Sequence, residues 1–260
     1  MYNSPEERTL IGALSGNDAV PGTVVGVGVD VARTADPDRF RTRHGVDGPY
    51  VVYVGRIDHN KGCQALFDNF RAYAQSAARP PTLLLLGSAV MAIPEHPLIR
   101  HLGFVSDDDK FDAIAGAGAL LMPSPFESLS MVLLEAWALG RPVLVNAHCD
   151  VLLGQCRRAN GGLYYSDGLE FSAALDVLLE QPGLAARLGK NGQDFCRREY
   201  AWPVIEEKYA DLLTSLGRSS PRSGMEPLPG WWARRRNVVP GSARRVAAAA
   251  TTSPSQEPVS

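Results

Sequence analysis

Three stretches of this 260-residue chain combine residue types that can act together on a ligand. The first is Gly55-Arg56-Ile57-Asp58-His59-Asn60-Lys61-Gly62, which follows a short apolar run. Gly55 lets the backbone turn sharply and approach a ligand closely. Arg56 offers a planar fork of donors and Lys61 a mobile point charge. Both stand at the entrance to a helical stretch, whose free N–H groups favour anions. The pattern suits a phosphate, although an ordinary strand–helix turn with two solvated cations reads the same. It is not a P-loop, because the Gly-x4-Gly-Lys-Ser/Thr spacing is absent.

The second stretch runs from Pro123 to Glu135 and carries two carboxylates, Glu127 and Glu135, eight positions apart. If both were helical they would lie about 12 Å apart along the axis. The paired carboxylates of glycoside hydrolysis stand about 5 to 9.5 Å apart, so that chemistry is disfavoured. A wide separation suits two carboxylates gripping distant hydroxyls of one long ligand. One capping Glu and one surface Glu would fit the spacing equally well. The third stretch, Asn160-Gly161-Gly162, reads as a loop. Other candidates fail: Gly26-Val27-Gly28 lacks the third glycine of a dinucleotide fingerprint. Cys149 and Cys156 lack the Cys-x2-Cys spacing or second His of a zinc site and read as a reduced structural pair. There is no Gly-x-Ser-x-Gly elbow.

These residues need elements to hold them. The chain is 45% hydrophobic and 21% charged, as in ordinary globular proteins. Nearly continuous apolar runs occur at Tyr50–Val54, Thr82–Leu86, Ala119–Met122 and Val143–Val145, with weaker ones at Ile99–Val105 and Gly162–Tyr165. Such runs suit strands buried on both faces. Helical patterns separate them at Cys63–Ala78, at Asp107–Ala117 after the cap candidate Ser106, and at Met131–Leu139 before the stop residues Gly140 and Pro142. Later helices are expected at Leu169–Leu179 after Asp167, at Leu184–Arg198, and at Val204–Leu216 beyond a break at Trp202-Pro203. The alternation predicts an α/β fold with a parallel, doubly wound sheet. The first 45 residues offer one helix (about Pro5 to Leu14), one strand (Thr23–Val27) and a loop, too little for a core of their own.

Residues 217–260 hold seven Arg against two Glu, a net +5 that leaves −7 on the preceding residues. The acidic body argues against nucleic acid as a partner. The tail is rich in Ser, Pro, Arg and Ala and reads as disordered. Its Trp231-Trp232-Ala233-Arg234-Arg235-Arg236 run has fewer cations than the roughly four to eight of an anionic-membrane contact, so a solvated tail is favoured over peripheral membrane binding. A polar, acidic N-terminus, no membrane span and four Cys point to a cytoplasmic protein.

The motifs are more specific together than apart. Gly-Arg-x-Asp-x-x-Lys-Gly, followed by Pro-Ser-x-x-Glu-x7-Glu-Ala-x-Ala-x-Gly-x-Pro-Val, resembles the C-terminal half of family 4 glycosyltransferases. Those are retaining enzymes with two facing Rossmann-like domains, the GT-B fold. The resemblance runs from about Asn3 to Leu216 and implies a hexosyltransferase using a nucleoside diphosphate sugar and an unspecified glycan, lipid or small-molecule acceptor. By resemblance, Arg56 and Lys61 hold the diphosphate beside Gly55, Glu127 lies near the sugar, and Glu135 binds the ribose. Phe104 and Val105 run beside the base, and Leu129, Ser130 and Met131 supply backbone N–H groups. With two cations at the phosphates, neither a metal nor a further cofactor is expected.

Two departures stand out. Ser130 occupies a position where the family usually has Gly, and a preceding acceptor domain of about 150 residues is absent. Residues 1–45 then read as a remnant of that domain and its hinge, 46–216 as the nucleotide-sugar domain, and 217–260 as the tail. A truncated product, a fragment or a mis-assigned start would each produce this, and a separate chain could supply the missing domain. A non-catalytic nucleotide-sugar-binding module is the alternative, with a sugar-nucleotide epimerase a weaker third.

Overall fold

Six parallel strands form one sheet in the order β3-β2-β1-β4-β5-β6: β1 (Tyr50–Val54), β2 (Thr82–Leu86), β3 (Ile99–Gly103), β4 (Leu120–Met122), β5 (Val143–Asn146) and β6 (Gly162–Tyr165). This computed structural model describes residues 1–15 and 22–218, so the tail from residue 219 onward, including Trp231–Arg236, lies outside the described residues. Contacts divide the chain into a unit from Met1 to Leu212 and a second from Leu213 to Ser260.

The apolar runs explain the sheet. Along β1, Val52 faces one core with Leu84 and Leu120, while Val51 and Tyr53 face the other with Leu83, Leu85 and Leu121. Strands covered on both faces need no polar alternation. The second face is closed by α3 (Cys63–Ser76) and α7 (Gly168–Glu180), and the first by α4 (Asp107–Gly116), α5 (Met131–Ala138), α6 (Asp150–Ala159) and α8 (Pro182–Tyr200). The chain crosses from β3 to β4 past β2 and β1, so the strand order reverses between β1 and β4. A crevice for ligands opens at the carboxyl ends of the strands at such a reversal.

Ser106 caps α4 by accepting from the Asp109 N–H at 3.1 Å, and Asp167 caps α7 by accepting from the Glu170 N–H at 2.9 Å. Gly140, at φ 68°, stops α5 before Pro142. The expected loop at Asn160-Gly161-Gly162 ends α6 with Asn160 in the left-handed region at φ 46°. A Cβ on Gly161 would collide with the Trp137 ring, whose Nε1 donates to the Gly161 carbonyl at 2.8 Å.

Several elements differ from expectation. β3 ends at Gly103, because a φ of 71° there leaves the strand region, so Phe104 and Val105 lie beyond it. Thr23–Val27 is not a strand: Val24 makes only an isolated bridge to Tyr2. The break expected at Trp202-Pro203 falls one residue earlier. Ala201 is extended and bridges to Val29, and Trp202 opens α9 (Trp202–Arg218), with proline tolerated in its first turn.

Two helices were not anticipated, α6 and α2 (Pro37–His44). With α2, the N-terminal segment finds the packing that its sequence did not disclose. Phe40 is fully buried, Val25, Val29 and Val46 join the same core, and two arginines clamp α2 to α4. Arg39 meets Asp112 at 2.6 Å and Arg43 meets Asp109 at 2.6 Å. Ile11, Leu14 and Val27 are exposed, but Val25 is buried. Leu10, Ile11 and Leu14 lie on α1 (Pro5–Ser15). Among the described residues, no helix is long and apolar enough to cross a membrane.

If α2 is part of the core, Phe40→Ala should lower unfolding stability by about 3 to 5 kcal/mol, the usual loss for a buried aromatic. Urea denaturation monitored by circular dichroism measures it. A loss near zero would place residues 37–44 outside the cooperative unit.

Candidate functional site

The loops leaving β1 and β4 flank the reversal, and glycines let them meet. Gly62 has φ 72°, and a Cβ there would collide with the Pro123 carbonyl oxygen. Gly87, after β2, has φ 134° and presses on the Gly55 carbonyl in the same way. Its N–H donates to the Gly103 carbonyl at 2.7 Å, which ties in the end of β3. The ends of β3, β2, β1 and β4 thus form one continuous rim. Tyr53 stiffens it by donating its hydroxyl to the Arg56 carbonyl at 2.8 Å, and burial pushes the Tyr53 phenol well up.

Ion pairs sit on and beside this rim. Lys61 Nζ meets Glu127 Oε1 at 2.8 Å, so the two stretches read from sequence do converge. Arg56 turns to its own loop and meets Asp58 at 2.7 Å. Asp58 also accepts from the Asn60 N–H at 2.9 Å, capping the tight turn His59–Lys61. That backbone bond, then the Arg56 charge, holds its carboxyl below the usual aspartate range. Lys110 Nζ, from α4, meets Glu135 Oε1 at 2.9 Å and Asp107 at 3.2 Å. The other Glu135 oxygen, Oε2, is buried with no hydrogen-bond partner.

Glu127 lies in the loop before α5 and Glu135 within that helix, so the wholly helical spacing considered for the pair does not apply. Ser130 is the N-cap of α5, and its hydroxyl accepts from the Leu133 N–H at 3.3 Å. The N–H groups of Met131 and Val132 belong to the first turn, which has no partners within its own helix. Leu129, Met131 and Val105 are half-buried, their side chains packed on the core, so they offer backbone to a ligand. Phe104 is exposed at the end of β3, and Phe126 beside Glu127 is also exposed. A cleft of about 650 Å³ opens next to Glu127, between Phe126, Ser128, His148 and the α1 residues Leu10 and Ile11.

Sequence reasoning missed Lys110, which lies at the end of an Asp-Asp-Asp-Lys run that reads as a helix start. It also missed Gly87 and the Tyr53 hydroxyl, neither of which belongs to a recognisable spacing. The four cysteines are buried and free, and burial pushes the Cys156 thiol up to about 12. Among the described residues, no three His, Cys, Asp or Glu side chains gather as a metal ion would require.

A six-stranded parallel sheet with its conspicuous charged groups at the strand-order reversal defines a Rossmann-like α/β domain. The chain belongs to the family described as glycosyl transferases group 1, whose model matches residues 48–181. It is 27% identical over 194 residues to the lipopolysaccharide core biosynthesis glycosyltransferase LpsE of Rhizobium meliloti, covering 70% of this chain and 55% of that protein. It is 31% identical over 216 residues to a D-inositol 3-phosphate glycosyltransferase of Kribbella flavida, covering 73% of this chain and 50% of that one. Among solved structures it resembles Anabaena HepE in complex with UDP, with a TM-score of 0.71 at 20% identity over 82% of this chain and 63% of HepE. HepE has also been solved with UDP-glucose. The fold is that of the GT-B class, and the chain spans about half the length of the curated relatives it matches.

The depressed Asp58 carboxyl gives a pH prediction. A lowered folded-state value means that its contribution is present above the ordinary aspartate pKa near 3.9 and is lost as pH falls through the depressed value. Asp58→Asn should therefore lower Tm by a constant amount between pH 5 and 7, and by less and less below about pH 4. A difference that grew on acidification would contradict the capping role.

Proposed function

We propose that this chain carries the donor-binding half of a glycosyltransferase, which moves a hexosyl group from a nucleoside diphosphate sugar to an acceptor hydroxyl with retention of configuration. The observation that carries the reading is the Glu135 carboxylate. One oxygen is held by Lys110, and the other is buried without a donor. An unpaired buried acceptor is costly, and a ribose hydroxyl would satisfy it. Family membership and the likeness to HepE, solved with UDP and UDP-glucose, support the same reading.

The chemistry follows from the charges. Breaking the sugar–phosphate bond puts negative charge on the departing diphosphate. Lys61, Arg56 and the first-turn N–H groups of α5 would stabilise that charge where it develops. In this reading the diphosphate displaces part of the Lys61–Glu127 and Arg56–Asp58 pairing. Glu127 then faces the sugar in the adjoining cleft. The acceptor oxygen bonds to the anomeric carbon as the phosphate oxygen leaves, on the same face, and the acceptor proton passes to the leaving diphosphate. Two cations at the phosphates make a divalent metal unnecessary. Gly55 and Gly103 let the backbone approach the ligand, and Phe104 and Val105 border the base.

The donor domain spans residues 46–216 in this proposal, and the packing of α2 on α4 extends it back to Pro37. The acceptor is bound by the other half of the protein, in cis or on a separate chain. Buried free thiols suit a reducing, cytoplasmic setting.

Titration calorimetry with UDP and uridine tests the phosphate site. Arg56→Ala or Lys61→Ala should weaken UDP binding about tenfold or more, the worth of a charge-assisted hydrogen bond, and leave uridine within about twofold. Equal losses for both ligands would overturn the assignment.

The ribose contact is tested separately. Glu135→Gln should weaken UDP several-fold more than 2′-deoxy-UDP, because the amide keeps only one acceptor oxygen. Identical losses would move Glu135 to a purely structural role.

A further inference from the structure

We propose that a second pocket, at the amino edge of the sheet and opposite the donor site, binds a phosphate-bearing small molecule. Tyr50 opens β1, Gly118 precedes β4, and Pro142 precedes β5. All three line this pocket of about 590 Å³, a volume in the range that holds small ligands. Three cations line it, Arg41, Arg141 and Lys190, and no carboxylate does.

Arg141 is the decisive group. Its side chain is half-buried, and its Nε lies in the interior with no hydrogen-bond partner. Other arginines of the fold that turn inward are matched. Arg39 and Arg43 meet aspartates, and Arg100 donates to the carbonyls of His44 and Gly45. Burial without an anion lowers the affinity of the Arg141 guanidinium for its proton, the sign of a charge in want of a partner. The C-termini of α4 and α5 lie close by, and their partial negative charge offsets some of the cationic field. None of their carbonyls takes the Arg141 Nε–H.

The neighbours leave room for an anion. Arg41 stacks its guanidinium 4.8 Å from the Tyr50 ring centre and donates to the Gly48 carbonyl at 2.7 Å. That leaves further N–H donors on its fork. Lys190 pairs with Asp194, one turn along α8 and outside the lining, so it adds a weaker pull. The Tyr50 hydroxyl is not available, because it donates to the Ala113 carbonyl at 2.8 Å. A guanidinium fork fits a phosphate in two-point fashion. The remaining wall, formed by Leu139, Leu178 and Leu179, would take an apolar body attached to that phosphate.

Phenyl phosphate is a suitable probe, with inorganic phosphate and phenol as its two halves. Binding is measured by calorimetry in an Arg56→Ala/Lys61→Ala background, which weakens any competing binding at the donor site. Phenyl phosphate should bind at one site, more tightly than phosphate or phenol. Arg141→Gln should weaken it at least tenfold. Ala186→Trp, at an exposed helical position on the rim, should block it without touching the core. Unchanged binding in both variants, or equal affinity for phenol and phenyl phosphate, would overturn the proposal. Sedimentation with phosphatidic acid vesicles separates the sources of the phosphate. Capture abolished by Arg141→Gln would assign the phosphate to a lipid headgroup, and no capture would assign it to a free small molecule.

Discussion

Backbone touches backbone where the chain leaves β1 and β4, at Gly62 against the Pro123 carbonyl. Any side chain at Gly62 would force the two loops apart, and its φ of 72° would be strained for other residues. This approach brings Lys61, one residue earlier, within hydrogen-bonding reach of Glu127, four residues beyond Pro123. The contact arises from topology. The strand order reverses between β1 and β4, so the helices that follow them, α3 and α5, cover opposite faces of the sheet, and the loops leading to those helices touch over the crevice between them. Widening that crevice would leave the cations and carboxylates on the protein but no longer facing one ligand.

The site holds its charges in pairs. The carboxylates of Asp58, Glu127 and Glu135 each keep about an eighth of their exposed surface, and each has a cation within 3 Å. Partly buried charges of this kind need partners to be tolerated. In the proposed reading a diphosphate would displace part of this pairing but would meet side chains whose rotamers are already restricted, so less ordering entropy would be lost on binding. Lys110 shows how one pair serves another purpose. It draws one oxygen of Glu135 and leaves the other buried without a hydrogen-bond partner. At the opposite edge of the sheet, Arg141 presents the reverse situation, a buried donor with no acceptor.

Legibility from sequence followed the strength of the local signal. The buried strands were readable within a residue or two, because continuous apolar runs have few alternatives in a soluble α/β chain. Capped helices were readable for the same reason: Ser106 and Asp167 sit where side-chain oxygens must satisfy first-turn N–H groups. The helix α6 carries no such signal, because its N-cap residue, Cys149, makes no side-chain cap hydrogen bond. The helix α2 was lost for lack of apolar periodicity. Among its eight residues only Phe40 is buried, and the helix is held by arginines reaching to α4, a contact more than sixty residues away in sequence. Of the site, the motif residues were legible, but their pairing was not. Lys61 with Glu127 and Lys110 with Glu135 are long-range contacts that spacing alone cannot specify.

Ser130 shows how a departure from the family pattern is absorbed. Its φ of −94° is open to any residue, so glycine is not required there by the backbone. The side chain is buried, with its hydroxyl near the Met122 sulfur and bonded to the Leu133 N–H, so it points into the fold and away from the loop surface. A glycine would leave that first-turn N–H uncapped, whereas serine satisfies it and holds the start of α5 in place. The N–H groups of Met131 and Val132 are then presented by an ordered helix end. The small side chain is compatible with the close approach that an anion needs, and the cap adds rigidity where a glycine would supply only freedom.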